Sequence, residues 1–166
     1  ATYTWTGGVS NGVAFSPSAT ASYSLIGTST AGCTSTNVAV TSVTVNALPI
    51  VTTSITNAVI CIGGTTALNA GGANTYTWTG SVTNGTAFSP TVTSSYSVTG
   101  TNSLTGCTST NVAVASITVN ALPILQVTLT KTVICKGDST VLKANGANTF
   151  NWTGGVINNI SFAPSA

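Results

Sequence analysis

Of 166 residues, three are Lys or Arg, one is Asp or Glu and none is His, which leaves a net charge of +2. The charges are Lys131, Lys136, Asp138 and Lys143, so the first 130 residues carry none, where an ordinary globular domain is about a quarter charged. Three function classes are excluded: general acid–base catalysis lacks titrating groups, nucleic-acid binding lacks phosphate-neutralising cations, and a zinc site lacks His and close-spaced Cys. No catalytic residue, metal ligand or cofactor is therefore expected. Ser and Thr nucleophiles have no base to activate them. No apolar run approaches the ~18 residues of a spanning helix, so no membrane span is expected.

In chain order, the first feature is Thr2-Tyr3-Thr4-Trp5-Thr6-Gly7. It recurs as Thr75-Tyr76-Thr77-Trp78-Thr79-Gly80 and, altered, as Thr149-Phe150-Asn151-Trp152-Thr153-Gly154, at offsets of 73 (2 to 75) and 74 (75 to 149). A period of this length means a tandem array of small domains. Residues 1–47 match the C-terminal part of one repeat, 48–121 form a complete repeat, and 122–166 are the N-terminal part of a third, divergent one. The N-terminus lacks the basic start and apolar region of a signal peptide. The array is expected to belong to a longer repetitive chain, with targeting signals elsewhere.

The complete repeat opens on Leu48-Pro49-Ile50, matched by Leu122-Pro123-Ile124; proline fixes φ and suits a short stiff joint, with Leu and Ile free to pack between domains. Residues 51–60 are β-branched and irregular, and Cys61 to Gly64 read as a turn. Thr65 to Asn69 predict a strand and Gly71 to Asn74 a turn. In Thr75 to Thr79, Tyr76 and Trp78 alternate with Thr, the period of a strand with one buried face. Thr86 to Pro90 predict an edge segment stopped by proline. Ser95 to Thr99 alternate again, with Tyr96 and Val98 inward. A hairpin loop ends at Cys107, and a last strand spans Asn111 to Asn120. There the apolar phase shifts from Val112 and Val114 to Ile117 and Val119, which predicts a bulge. No stretch has a helical period. The fold class predicted is all-β: small antiparallel β-sandwiches of six or seven strands, strung like beads. Trp5, Tyr76, Trp78, Tyr96 and Trp152 are the expected core anchors.

Cys33 and Cys107 are equivalent, as are Cys61 and Cys135, and paired recurring cysteines point to disulfides in an oxidising compartment. Cys61 with Cys107 is the favoured bond, leaving Cys33 and Cys135 to cysteines outside this stretch. A loop of that length would stabilise a marginal domain by about 4 kcal/mol in the chain-entropy model. The alternative, Cys33–Cys61 with Cys107–Cys135, would staple neighbours across joints.

The succession ICIGGTTALNAGGANTYTWTG, FSPTVTSSYSVTGTN and GCTSTNVAVASITVNALP (residues 60–80, 88–102 and 106–123) resembles the Ig-like and PKD-like repeats of Bacteroidota surface proteins. Gliding-motility adhesins exported by the type IX route are among these. The resemblance runs through the whole chain in register and is most specific at Cys-x-Gly, Tyr-x-Trp, Tyr-x-Val and Gly-Cys. It implies tandem Ig-like β-sandwiches, secretion to the cell surface and a place in stalks, adhesins or fibres. It carries over no catalytic residue, and the near absence of acids departs from relatives that bind calcium at their joints.

Each singled-out residue has a bland reading beside the functional one. Trp5, Trp78 and Trp152 could stack on sugars, but strand alternation makes them core. The Thr75-x-Thr77-x-Thr79 ladder suggests ice binding, yet ice-binding solenoids need a much shorter coil period. Asp138-Ser139-Thr140 resembles the Bacteroidota O-glycosylation signal and makes Ser139 a candidate glycan site; its alternative is plain turn chemistry. The expected function is a non-catalytic repeat module of an extracellular filament or adhesin stalk. Its partners are neighbouring repeats, other copies in a fibre and a covalent glycan. The alternative is a carbohydrate-binding module, for which Phe15, Phe88 and Phe162 are the aromatics to find exposed.

Overall fold

Alternating Thr, Ser and Val favour the extended backbone, since branched side chains sit well on a pleated surface, and the glycine-rich breaks between them turn the chain. The result, in a computed structural model that describes residues 1–164, is all-β. Strands β1 (Thr2–Trp5), β2 (Ala21–Thr28) and β3 (Ala39–Val43) fall in the first repeat. The second repeat holds β4 (Thr52–Ile55), β5 (Val59–Cys61), β6 (Thr66–Gly71), β7 (Thr75–Trp78), β8 (Ala87–Phe88), β9 (Ser94–Thr101) and β10 (Ala113–Asn120). The third holds β11 (Gln126–Leu129), β12 (Thr140–Asn145) and β13 (Ser161–Phe162).

The sheets are ordered β1-β2-β3, β4-β6-β8, β5-β10-β9-β7 and β11-β12-β13. Strand β5 runs parallel to β10, with Thr118 opposite Val59 and Asn120 opposite Cys61, whereas β1-β2, β2-β3, β4-β6, β6-β8, β7-β9, β11-β12 and β12-β13 pair antiparallel. Contacts group the chain into two compact units that do not follow the sequence period. One comprises Ala1–Thr56, Thr66–Phe88 and Ser95–Ser116; the other comprises Asn57–Thr65, Ser89–Ser94 and the chain from Ile117 onward. Strand β10 runs through both.

Within the first unit, sheet β4-β6-β8 lies against the β7, β9 and β10 strands as a β-sandwich-like pair. Leu68, Val98 and Ala115 are fully buried between them, with Val51, Thr66 and Trp78 around them. Asn84 ties the two layers together: its Oδ1 accepts the Ala70 N–H of β6 at 2.7 Å and the Trp78 Nε1–H of β7 at 3.2 Å. The Phe88 and Tyr96 rings meet edge to face across the layers, 5.5 Å between centroids. Thr53 Oγ1 donates to the Val114 carbonyl at 3.4 Å. Gly100 is where the layers come closest, since a Cβ there would lie 2.5 Å from Val51 Cγ1. In the second unit Ile117, Ile60, Thr140 and Ala144 are buried.

Two expectations about the strands are corrected. Residues 51–60 are not irregular: they form β4 and β5, one in each sheet. The expected turn from Cys61 to Gly64 follows directly on β5, closed by the Gly64 N–H donating to the Cys61 carbonyl at 2.9 Å. The predicted bulge in the last strand is absent, because β10 keeps one phase throughout. Ala113, Ala115, Ile117 and Val119 face inward while Val112 and Val114 point out to solvent. The sequence pattern misleads because small alanines occupy the inner positions and larger valines the outer ones.

Leu68 has no exposed surface. Leu68→Ala should therefore cost about 2–5 kcal/mol, the range for a buried leucine, read from urea unfolding followed by tryptophan fluorescence. The equivalent Leu142→Ala in the third repeat, where the side chain is half-buried, should cost less.

Candidate functional site

The three copies of the opening stretch place their aromatic residues differently. Trp78 is buried, whereas Trp5 and Trp152 are half-buried, so the Trp78 ring presents no platform for a sugar. Tyr76 closes its own turn: its hydroxyl donates to the Ala73 carbonyl at 2.6 Å and accepts the Ala73 N–H at 3.0 Å. Tyr96 carries Phe88, and Tyr23 is buried beneath Phe15 at 5.1 Å between centroids. The phenylalanines thus pack on tyrosines, although Phe15 remains 45% exposed. Trp5 donates its Nε1–H to Asn11 Oδ1 at 3.4 Å, as Trp78 does to Asn84. The Trp152 Nε1 is enclosed with no acceptor among the described residues, a loss of about 1–3 kcal/mol for a neutral donor. Asn158, which stands six residues after Trp152 just as Asn84 does after Trp78, spends its Oδ1 on the Ala144 N–H at 2.7 Å.

The outer face of the β7-β9-β10 strands carries no charge. Thr75, Thr77 and Thr79 are exposed along β7 and its corner, and Ser95 and Ser116 share a hydroxyl hydrogen bond of 2.8 Å between β9 and β10. The ladder is not a row of equivalent hydroxyls. Thr79 Oγ1 accepts the Ser97 N–H at 2.9 Å and Thr75 Oγ1 donates to the Thr101 carbonyl at 3.3 Å. The corner bond recurs between Thr6 and Ser24 at 2.8 Å. Part of the threonine content therefore serves the backbone and not the solvent.

At the joints, Ile50 and Ile124 are 74% and 82% exposed, and Leu48 and Leu122 are also exposed. Order at the first joint comes from the main chain. Asn111 Oδ1 accepts the Val51 N–H at 3.1 Å and its Nδ2 donates to the Val51 carbonyl at 2.8 Å. Gly72, at φ +95°, lets its turn approach the Ile50 carbonyl, which a Cβ would overlap; Gly146 repeats this at Ile124. Pro49 is half-buried and Pro123 exposed.

The favoured Cys61–Cys107 disulfide is not formed: Cys33, Cys61, Cys107 and Cys135 make no bond with one another. Cys61 stands opposite Asn120, the last residue of β10, whereas Cys107 precedes the first residue of that strand, Ala113. Seven steps of about 3.3 Å separate the ends of β10, far beyond the ~7 Å between Cα atoms that a disulfide spans. Neither cross-joint bond of the alternative pairing is formed either.

In the third repeat, the single carboxylate closes a turn: Cys135 donates its N–H to Asp138 Oδ2 at 3.3 Å. Ser139 is exposed, while Thr140 is buried and donates its hydroxyl to the Lys131 carbonyl at 2.9 Å. Of that Ser-Thr pair, only Ser139 is exposed. Among the described residues no group of three His, Cys, Asp or Glu gathers, and no helix is long and apolar enough to cross a membrane. No protein-family model matches the chain, and no curated protein matches it.

Sequence reading overlooked Asn84 and Asn111, the two side chains that fasten layer to layer and joint to domain. The repeat does carry the signal. Asn follows Trp by six residues at Asn11, Asn84 and Asn158, and Asn37 and Asn111 both precede the last strand of their repeats.

Asn111→Ala leaves both Val51 main-chain groups unpaired and should destabilise the first joint by about 1–3 kcal/mol. Hydrogen exchange should show the Val51 amide losing protection while the Leu68 amide keeps it. Alkylation without reductant should add four groups per chain by intact mass. The double variant Cys61→Ser, Cys107→Ser should unfold within about 0.5 kcal/mol of the parent, where loss of a native disulfide would cost about 2–5 kcal/mol.

Proposed function

We propose that the chain is a run of Ig-like repeats that serves as a non-catalytic structural module of a long extracellular filament or adhesin stalk, secreted to the cell surface. The observation that carries this is recurrence of the same contacts at the repeat period. The Phe–Tyr edge-to-face pair, the Trp–Asn hydrogen bond and the Thr corner bond appear in both the first and second repeats. A module used for spacing conserves its packing from copy to copy and needs no cleft.

Supporting the Ig-like reading, one layer of the second repeat is ordered β4-β6-β8 and the other β10-β9-β7, which follows the A-B-E and G-F-C orders of an Ig sandwich in which no D strand stands between β7 and β8. Strand β5 adds to the second layer by pairing parallel to the last strand. The partners on this reading are adjoining repeats and other copies in a fibre, and Ser139 is the residue to carry a glycan. A chain with almost no charge has little electrostatic repulsion to hold its copies apart, which suits lateral packing.

Electron microscopy of the secreted material should show extended, beaded filaments, and the chain should run through columns of insoluble polysaccharide unretarded. Isolated globular monomers in native material would overturn the filament reading. Retention on a polysaccharide that free oligosaccharide reverses would replace it with the binding-module reading.

A further inference from the structure

Three asparagines of this sequence are followed by glycine, in Asn11-Gly12, Asn84-Gly85 and Asn145-Gly146. In such a pair the main-chain nitrogen of the second residue can attack the asparagine side-chain carbon, because glycine has no Cβ to stand in the way. In the second repeat this pair is the layer lock itself. Asn84 is exposed to water, yet both reacting groups are engaged. Its Oδ1 accepts the Ala70 N–H at 2.7 Å and the Trp78 Nε1–H at 3.2 Å, and the Gly85 N–H donates to the Leu68 carbonyl at 2.8 Å. Ring closure needs the glycine nitrogen stripped of its proton and turned onto Cγ of Asn84. The bonds to β6 hold both groups away from that arrangement.

We propose that Asn84-Gly85 is a self-modification site gated by the two layers: it stays intact while β6 is in place and deamidates once the layers part. Hydroxide takes the proton of the freed Gly85 nitrogen, that nitrogen bonds to Asn84 Cγ, and the Cγ–Nδ2 bond breaks with ammonia as the leaving group. Water then opens the cyclic imide. Cleavage at Cγ leaves aspartate, whereas cleavage at the main-chain carbonyl leaves isoaspartate, with the main chain rerouted through the side chain. Water is the only co-reactant consumed. The aspartate form still offers an oxygen to Ala70 and Trp78. The isoaspartate form lengthens the main chain inside the turn that Thr86 closes by donating its N–H to the Thr83 carbonyl at 3.1 Å, and displaces Gly85 from Leu68. A repeat held open therefore keeps a covalent record of it and relocks less firmly. Neither step depends on the chain being part of a filament.

The third repeat holds the matching control. Asn158 Oδ1 accepts the Ala144 N–H at 2.7 Å, and the residue after it donates its N–H to the Leu142 carbonyl at 2.8 Å. These are the two main-chain bonds of the Asn84 turn. The residue after Asn158 is Asn159, held at φ +64° where Gly85 has φ +74°. One copy thus builds the turn without glycine, so what Gly85 changes is the reactivity of the turn and not its shape. The Asn159 side chain crowds the attacking nitrogen, which makes Asn158 the slow member of a matched pair.

Peptide mapping by mass spectrometry of the 166-residue chain, aged in mildly alkaline buffer, tests the gate. In urea that unfolds the chain, Asn84 should convert at about the rate of Asn11 and Asn145, and Asn158 several-fold more slowly. In the folded chain Asn84 should convert at least about tenfold more slowly than in urea, since the reactive state is reached only by opening. Leu68→Ala weakens the layer packing without touching the dipeptide. It should speed Asn84 in buffer by at least about tenfold and leave its rate in urea unchanged. Should that variant fail to fold, urea below the unfolding midpoint of the parent replaces it, and the Asn84 rate should climb in step with the fall in stability. The refolded isoaspartate chain should unfold at lower urea than the Asn84→Asp variant. Four results would each overturn the proposal: Asn84 converting as fast folded as in urea, an Asn84 rate indifferent to weakened layer packing, Asn84 no faster than Asn158 in urea, or an isoaspartate chain as stable as Asn84→Asp.

Discussion

Each sheet of this protein has one apolar face, and what covers it is the other sheet of a repeat. Where both are built, Leu68 and Val98 lose all but a trace of their exposure. The equivalent Leu142 and Leu25, in repeats of which this sequence spans only one layer, are half-buried. The stability of the array depends on that single pairing. A domain of about 73 residues buries only around 60% of the surface its unfolded chain exposes, leaving little reserve if a layer is uncovered.

An almost uncharged shell changes how the remaining polar groups are used. With a single acid and no His, side-chain hydrogen bonding falls mostly to hydroxyls and amides, and the structure assigns the demanding positions to asparagine. Asn84 supplies one oxygen to two donors in different layers, and Asn111 supplies a donor and an acceptor to one main-chain unit. An amide side chain suits both tasks because it offers acceptor and donor from one rigid plane. Threonine takes the corners, where Thr6 and Thr79 receive a main-chain N–H from the neighbouring strand. The outward surface that remains carries no charge before Lys131.

Some of the architecture was legible in the residues because it depends on local pattern. The strand at Thr75 to Trp78 follows from alternation, its turn from glycine, and the all-β class from the want of any helical period. The errors share a cause. Cys61 and Cys107 belong to one repeat, but whether they meet depends on which sheet each joins, and β5 joins the last strand at the end remote from Cys107. The run Val112–Val114 looked like a core face since valine is apolar, yet the inner positions were filled by Ala113 and Ala115, with Val51 and Ala73 closing on Gly100 from the other side.

By itself the sequence determined the repeat, its period, the extended backbone and the absence of charge, all properties carried by neighbouring residues or by composition. Tertiary structure alone decided which asparagines lock the layers and which thiols lie apart. Those outcomes depend on contacts between segments tens of residues apart, whose geometry is set by sheet order and register. A periodic pattern specifies which way a side chain points along its strand, but not what lies opposite it.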